Sequence, residues 1–179
     1  RVDIYRAEGV RRVKIGFTDI DGVMRGKYLS LDKFASIADG TSGFCDCVFG
    51  WDVDDQLYDN ASYTGWHTAF PDATYRIDLS SERRLADEQN IPLFLADFVG
   101  EGEYHPICPR NQLKRMIDRA SSAGFASRMA FEYEFFVFKE TPASAAAKHY
   151  RDLEPLTPGN FGYSLLRTFS LSDLFNELM

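Results

Sequence analysis

The chain has 179 residues, of which 45% are hydrophobic and 15% aromatic, enough to bury a packed core and too apolar for a disordered segment. A formal charge of −7 and a pI near 5.0 exclude a nucleic-acid partner, because no Lys/Arg-rich face is present to neutralise phosphates. No apolar run approaches the roughly 20 residues of a membrane helix and no secretory h-region opens the chain, so no membrane association and a soluble, cytoplasmic protein are expected.

In chain order, Val13, Ile15 and Phe17 alternate with Lys14, Gly16 and Thr18, and Asp21-Gly22 precedes the extended run 23–29, which predicts a β-hairpin. Ser30 is placed to cap a short helix through Leu31, Phe34 and Ile37, with Gly40 ending it in the left-handed conformation. Residues 41–72 are rich in Gly, Asp, Asn and Ser without lasting period and read as a long loop. Extended runs at 74–79 and 92–99 flank the charged segment 81–90 and complete a small mixed sheet that closes near Gly102.

Pro109 suits a first helical position, and Leu113, Met116, Ile117 and Ala120 follow at helical spacing up to Gly124. Residues 128–138 are dense in aromatics and predict a strand; 141–159 contains prolines and an alanine cluster and reads as an irregular connection. Ser170 and Asp173 form the pattern of a capping box for a last helix carrying Leu171, Leu174, Phe175 and Leu178. A chain that begins at Arg1 and ends inside an apolar helix without a stop signal is expected to be a piece of a longer protein.

Cys45, Cys47 and Cys108 are odd in number, and Cys-x-Cys is too short for an easy disulfide, so reduced thiols are expected. His67, His105 and His149 show no zinc-ligand spacing. The chemistry concentrates in Phe131-Glu132-Tyr133-Glu134-Phe135-Phe136, where a period of two puts both carboxylates on one strand face, roughly 7 Å apart. Glu-x-Glu alone fits a strand face that looks into water. Phe136 and Phe138 continue the same face, however, and predict that it is at least half enclosed, where two acids need compensation by divalent cations such as Mg²⁺ or Mn²⁺.

Phe131 to Phe138, preceded by the helix from Pro109 and by Gly124, resembles the metal-binding strand of the glutamine synthetase family. The hairpin from Phe17-Thr18-Asp19 to Lys27, the Phe70-Pro71-Asp72 step and the Gly162-Tyr163 turn resemble that family in order and spacing, so the likeness covers nearly the whole chain. The resemblance implies an α+β fold: an N-terminal β-grasp domain over residues 1–104, then the first part of a catalytic domain, built on a curved antiparallel sheet, over 105–179. It implies Glu132 and Glu134 as ligands of different Mg²⁺ or Mn²⁺ ions. Asp52 lies where the family's first-domain loop offers an aspartate to the ammonium site of the next subunit, and Tyr163 near a tyrosine of that site; the alternatives are a loop-structuring acid and a packed aromatic. The implied activity is ATP-dependent ligation of the γ-carboxylate of glutamate to ammonia or an amine through a γ-glutamyl phosphate, in a homo-oligomeric, dodecamer-type ring.

Departures from the family pattern narrow this reading. Ala130-Phe131 stands where Gly-Pro is usual before the first metal glutamate, and Tyr133 where Pro is usual between the two. The loop Phe49-Gly50-Trp51-Asp52-Val53-Asp54-Asp55 lacks the usual Asp-Gly-Ser-Ser run. These differences resemble the branch that joins glutamate to larger amines, such as the γ-glutamylpolyamine synthetases. The chain stops before the family's remaining metal glutamates, metal histidine and substrate-gripping arginines. A non-catalytic family member, kept for structure or interaction, is the competing expectation.

Overall fold

The computed structural model describes residues 1–102, 104–159 and 162–179, which fall into two compact units, Arg1–Ser127 and Arg128–Met179.

In the first unit, β1 (Arg12–Thr18) and β2 (Met24–Ser30) form the expected hairpin, with Val13 opposite Leu29 and Phe17 opposite Arg25. Its turn is organised by Asp19, whose Oδ1 accepts from the backbone N–H of Asp21 (3.0 Å) and Val23 (2.8 Å), while Gly22 supplies a left-handed φ of 85°. Helix α2 (Leu31–Ile37) starts as expected, with the Lys33 N–H donating to Ser30 Oγ at 3.2 Å, and buries Leu31, Phe34 and Ile37. Gly40 does not take the left-handed conformation: the helix runs out through Ala38 in right-handed geometry, and the Gly40 N–H closes the turn on Ile37 O at 3.0 Å.

The sheet is larger than the sequence suggested. Strand β3 (Ser42–Cys45) lies inside the stretch read as loop and pairs antiparallel with β4 (Asp72–Leu85), which in turn pairs with β5 (Ile91–Phe98). The first half of the charged segment expected between two strands is β4 itself, which is interrupted by a register shift between Asp78 and Arg83. Ser81 fills the gap left by that irregularity: its hydroxyl accepts the Leu95 N–H at 2.8 Å and donates to Asp78 O at 2.6 Å. The order is β2-β1-β5-β4-β3, with β1 and β5 parallel and the other neighbours antiparallel, so the fold is α+β around a mixed sheet.

Phe17 sits at the centre of the core, its ring 4.4 Å from Phe44, 5.0 Å from Tyr75 and 4.9 Å from Phe98. Phe34 of α2 stacks on Phe94 at 5.0 Å. A further helix, α1 (Val2–Ala7), absent from the sequence reading, adds buried Tyr5 beside Phe34. Helix α3 (Pro109–Ser122) forms where expected, with Pro109 in its first turn and Gly124 left-handed beyond it. It meets the sheet through polar groups. Arg110 donates to Asp97 at 2.8 Å and to Asp78 at 2.5 Å, Lys114 reaches Asp97, and the Asn111 amide donates to Phe98 O at 3.1 Å. Its apolar residues Leu113, Met116 and Ile117 stay exposed.

The second unit holds three short helices, α4 (Pro142–Ala147), α5 (Leu165–Phe169) and α6 (Ser172–Leu178), among its described residues. Helix α4 occupies part of the stretch expected to be irregular, started by a capping box between Thr141 and Ser144. Ser170 caps no helix start, because its hydroxyl donates back to Arg167 O at 2.7 Å; α6 begins after Leu171 without a side-chain cap. Among the described residues of the whole chain, no helix is long and apolar enough to cross a membrane.

Candidate functional site

The segment carrying Glu132 and Glu134 is not a strand. Residues 125–137 carry no regular secondary structure; the first ladder-like contact is the bridge of Phe138 to Pro155, flanked by Leu156 N–H to Val137 O (2.9 Å) and Lys139 N–H to Glu154 O (2.8 Å). Extended backbone becomes a strand only where a neighbour takes up its N–H and C=O groups, and none lies beside 128–136 among the described residues of this unit. The expected enclosure is absent for the same reason: Phe131 is 87% exposed and Phe136 68%.

Both carboxylates are therefore exposed, with no hydrogen bond or ion pair among the described residues. Their hard oxygens fit Mg²⁺ or Mn²⁺ in donor type. Among the described residues no group of three or more His, Cys, Asp or Glu side chains is assembled to hold an ion, so the pair supplies only part of a ligand set.

Tyr163, also in the second unit, is fully exposed and left-handed (φ 57°), immediately before Ser164, whose hydroxyl caps α5. With Phe135, Phe136, Leu165, Arg167 and Phe175 it lines an open, mainly apolar cavity of about 440 Å³. Glu132 and Glu134 do not line it.

Asp52 lies in the first unit, in a loop closed on itself by a bridge between Trp51 and Leu57, by Tyr58 N–H to Gly50 O (2.8 Å) and by Asp52 N–H to Gln56 O (3.0 Å). Its Oδ1 accepts the backbone N–H groups of Asp54 and Gln56, both at 2.9 Å. This is the loop-structuring role of an aspartate, and it leaves Oδ2 without a partner among the described residues.

The sequence reading missed the group that fixes this loop. Arg25 of β2 donates through Nε to Asp19 Oδ2 at 2.7 Å, pairs with the Asp55 carboxylate, and donates through a terminal nitrogen to Asp52 O at 3.1 Å. Its guanidinium also lies 5.0 Å from the Trp51 ring centroid. Asp19 is fully buried and spends both oxygens on this hairpin. Tyr58 adds a bond from its hydroxyl to Asp21 Oδ2 at 3.3 Å. The available signal was Asp19, Gly22 and Arg25 at three-residue spacing around the turn; their loop partners, about 30 residues on, leave no local trace.

The cysteines are free thiols, and burial followed by its neighbour Cys45 pushes the Cys47 thiol up to about 12, away from nucleophilic use. His105 is buried: Tyr63 Oη lies 2.9 Å from Nε2, and Nδ1 accepts the Cys108 N–H at 3.2 Å, which fixes a neutral tautomer at the start of α3. Burial lowers its pKa in agreement with that structural role.

Comparison with known proteins gives these residues a context. Residues 106–179 match the family model described as glutamine synthetase, catalytic domain. The chain is 46% identical to type-1 glutamine synthetase 2 of Dictyostelium discoideum, over 93% of this chain and 32% of that protein. It is 32% identical to glutamate–isopropylamine ligase of Pseudomonas sp, over 98% of this chain and 39% of that protein. It is 28% identical to the γ-glutamylethanolamide synthetase of Streptomyces coelicolor, over 98% of this chain and 38% of that protein. A solved structure of GmaS with ADP superimposes with a TM-score of 0.52 at 25% identity, covering 68% of this chain and 25% of that one. The chain thus spans between 32% and 39% of the length of these curated relatives.

Proposed function

We propose, since this chain belongs to the glutamine synthetase family, that the protein joins the γ-carboxylate of glutamate to ammonia or an amine in an ATP-dependent reaction. The observation that carries this reading is relatedness to glutamate ligases along 93% to 98% of the chain. A γ-phosphoryl group passes from ATP to the glutamate carboxylate. The amine nitrogen then attacks the γ-carbonyl of the resulting γ-glutamyl phosphate, the bond to the phosphate oxygen breaks, and the nitrogen loses a proton. A larger amine than ammonia is favoured by the Trp51-Asp52-Val53 loop and by relatives named for an isopropylamine substrate and a γ-glutamylethanolamide product.

In this reading Glu132 and Glu134 would hold Mg²⁺ or Mn²⁺, which supplies charge neutralisation at the phosphates. Their lack of any protein counter-charge among the described residues supports that role. Asp52 is assigned to the incoming amine: its unpartnered Oδ2 suits an ammonium proton, and removing that proton makes the nitrogen nucleophilic. Tyr163 is assigned to the same site, supported by its exposure. The mixed sheet with β1 and β5 parallel, and a family match that begins at residue 106, support a β-grasp domain ending near residue 104. Assembly into a homo-oligomeric ring belongs to the same reading.

The test is glutamate-dependent ADP release by the full-length protein with Mg²⁺ and a panel from ammonia through ethanolamine to polyamines. Glu132→Ala and Glu134→Ala are each expected to lower turnover about a hundredfold or more while leaving the fold intact. Wild-type turnover in either variant would overturn the metal assignment. Silence of the wild-type protein across the whole panel would instead favour a non-catalytic, structural or interaction role.

A further inference from the structure

We infer that Arg25 is the positioning residue of the amine-acceptor loop, a role that rests on the ligase reading for its kinetic consequence but not for its structural one. The argument starts from what a guanidinium does with its donors. Arg25 engages Asp19 Oδ2 at 2.7 Å with Nε, the Asp55 carboxylate with one terminal nitrogen and Asp52 O at 3.1 Å with the other, while lying 5.0 Å from the Trp51 ring centroid. One planar group thus joins a hairpin to a loop some 27 to 30 residues further along the chain.

The hairpin end of this latch is rigid. Asp19 is fully buried, and its other oxygen is fixed by the backbone N–H groups of Asp21 and Val23. The loop end has little core of its own: Val53 is 60% exposed, and Asp54, Asp55 and Gln56 are exposed beside it. Besides Trp51, which packs against the core, what holds residues 52–56 to the sheet is the guanidinium, supported by the Tyr58 hydroxyl on Asp21. Arg25 touches the carbonyl of Asp52 and leaves Oδ2 of its carboxylate untouched, so it sets where that carboxylate stands without consuming it. Lysine, with a single nitrogen, cannot reproduce contacts to a buried carboxylate, a loop carboxylate and a carbonyl in one plane.

The experiment compares Arg25→Gln, Arg25→Lys and Asp55→Asn in the full-length protein. The Asp55 variant removes one arm of the latch at a residue whose side chain is 61% exposed, where folding is not at stake. Arg25→Gln is expected to raise KM for the amine about tenfold, with KM for ATP and glutamate unchanged within about twofold. Asp55→Asn should give a smaller rise in the same direction, and Arg25→Lys should fail to rescue. A second readout needs no activity: the emission of Trp51, taken as the difference between the protein and its Trp51→Phe variant, should shift to the red in Arg25→Gln as the loop leaves the hairpin. Unchanged Trp51 emission together with an unchanged amine KM would overturn the inference, as would an equal rise of all three KM values. If Arg25→Gln does not fold, Asp55→Asn decides by the same two readouts. An inactive wild-type protein would count against the ligase reading alone, and the emission would still judge the latch.

Discussion

The two units are held together by different physics. Arg1–Ser127 closes around an aromatic cluster centred on Phe17, with Val13, Ile15, Phe34, Tyr75, Phe94 and Phe98 all buried. Arg128–Met179 has no fully buried hydrophobic residue among those described; Phe131, Tyr133, Leu165, Leu166 and Phe169 are each at least 78% exposed. Its organising centre is instead a carboxylate. Glu140 accepts from Lys148 Nζ and Ser144 Oγ, both at 2.5 Å, and from the Glu154 N–H at 3.0 Å, tying α4 to the bridge at Phe138. The first unit buries its apolar surface internally, whereas the second keeps the aromatic residues of the proposed metal segment in solvent. A segment that carries reactive groups can be recognised by its residues while lacking, within its own unit, the partners that would make it a strand.

The strongest way to break this comparison is a matched pair of truncations. Phe17→Ala is expected to destabilise the 179-residue chain by about 3–5 kcal/mol, the cost of emptying a core site with rings on three sides. Phe131→Ala should stay within about 0.5 kcal/mol, as for other exposed positions. Urea denaturation followed by far-UV circular dichroism reads both. A large loss at Phe131 would mean that its ring is covered in solution and that the contrast between the units is false.

A smaller effect sharpens the same comparison within the first unit, where α3 docks through charge. The Ser80 hydroxyl, then the Arg110 guanidinium, hold the Asp78 carboxyl down at about 2. Because the folded pKa lies below the unfolded value, this group stabilises fully above about pH 4, and its contribution is lost as pH falls towards 2. The contribution is about 2 kcal/mol for a side chain 20% exposed. Arg110→Met should lower stability at neutral pH by about 1–2 kcal/mol, since it leaves Asp78 with Ser80 alone and Asp97 with Lys114 alone, and should make the acid limb shallower. An acid limb unchanged in Arg110→Met would remove the ion cluster from the account of how α3 is held.

What could be read in advance follows the distance between cause and effect. The hairpin, the Ser30 cap and the Pro109 start are visible because each is decided within a few residues. Strand β3, the continuation of β4 past its irregularity and the docking of Tyr5 are decided by groups 14 to 33 positions away and have no period to betray them. Glu132 and Glu134 stand out for the same local reason as the hairpin does. Phe136 and Phe138 predict an enclosure that the structure does not show, because enclosure belongs to neighbouring strands and not to the segment. Asp52 was legible as a loop aspartate; Arg25, its anchor, was not, since nothing near it names Asp55 or Trp51 as partners.

The smallest expected effect concerns Glu140, where the second unit should differ from the first in kind. Lys148 foremost, then Ser144 and the Glu154 N–H, hold its carboxyl at about 2 against an ordinary value of 4.5. The sign is that of Asp78: the interactions are present above about pH 4.5 and lost as pH falls through 2. The consequence is local, because no apolar core rests on this hub. Hydrogen exchange measured from pH 5 downwards should show α4 and the Glu154 N–H opening while β1 and β5 stay protected, and Glu140→Gln should produce the same pattern at neutral pH. Simultaneous loss of protection in both units would mean that the acid hub supports the aromatic core as well, and the two units would then have to be treated as one cooperative structure.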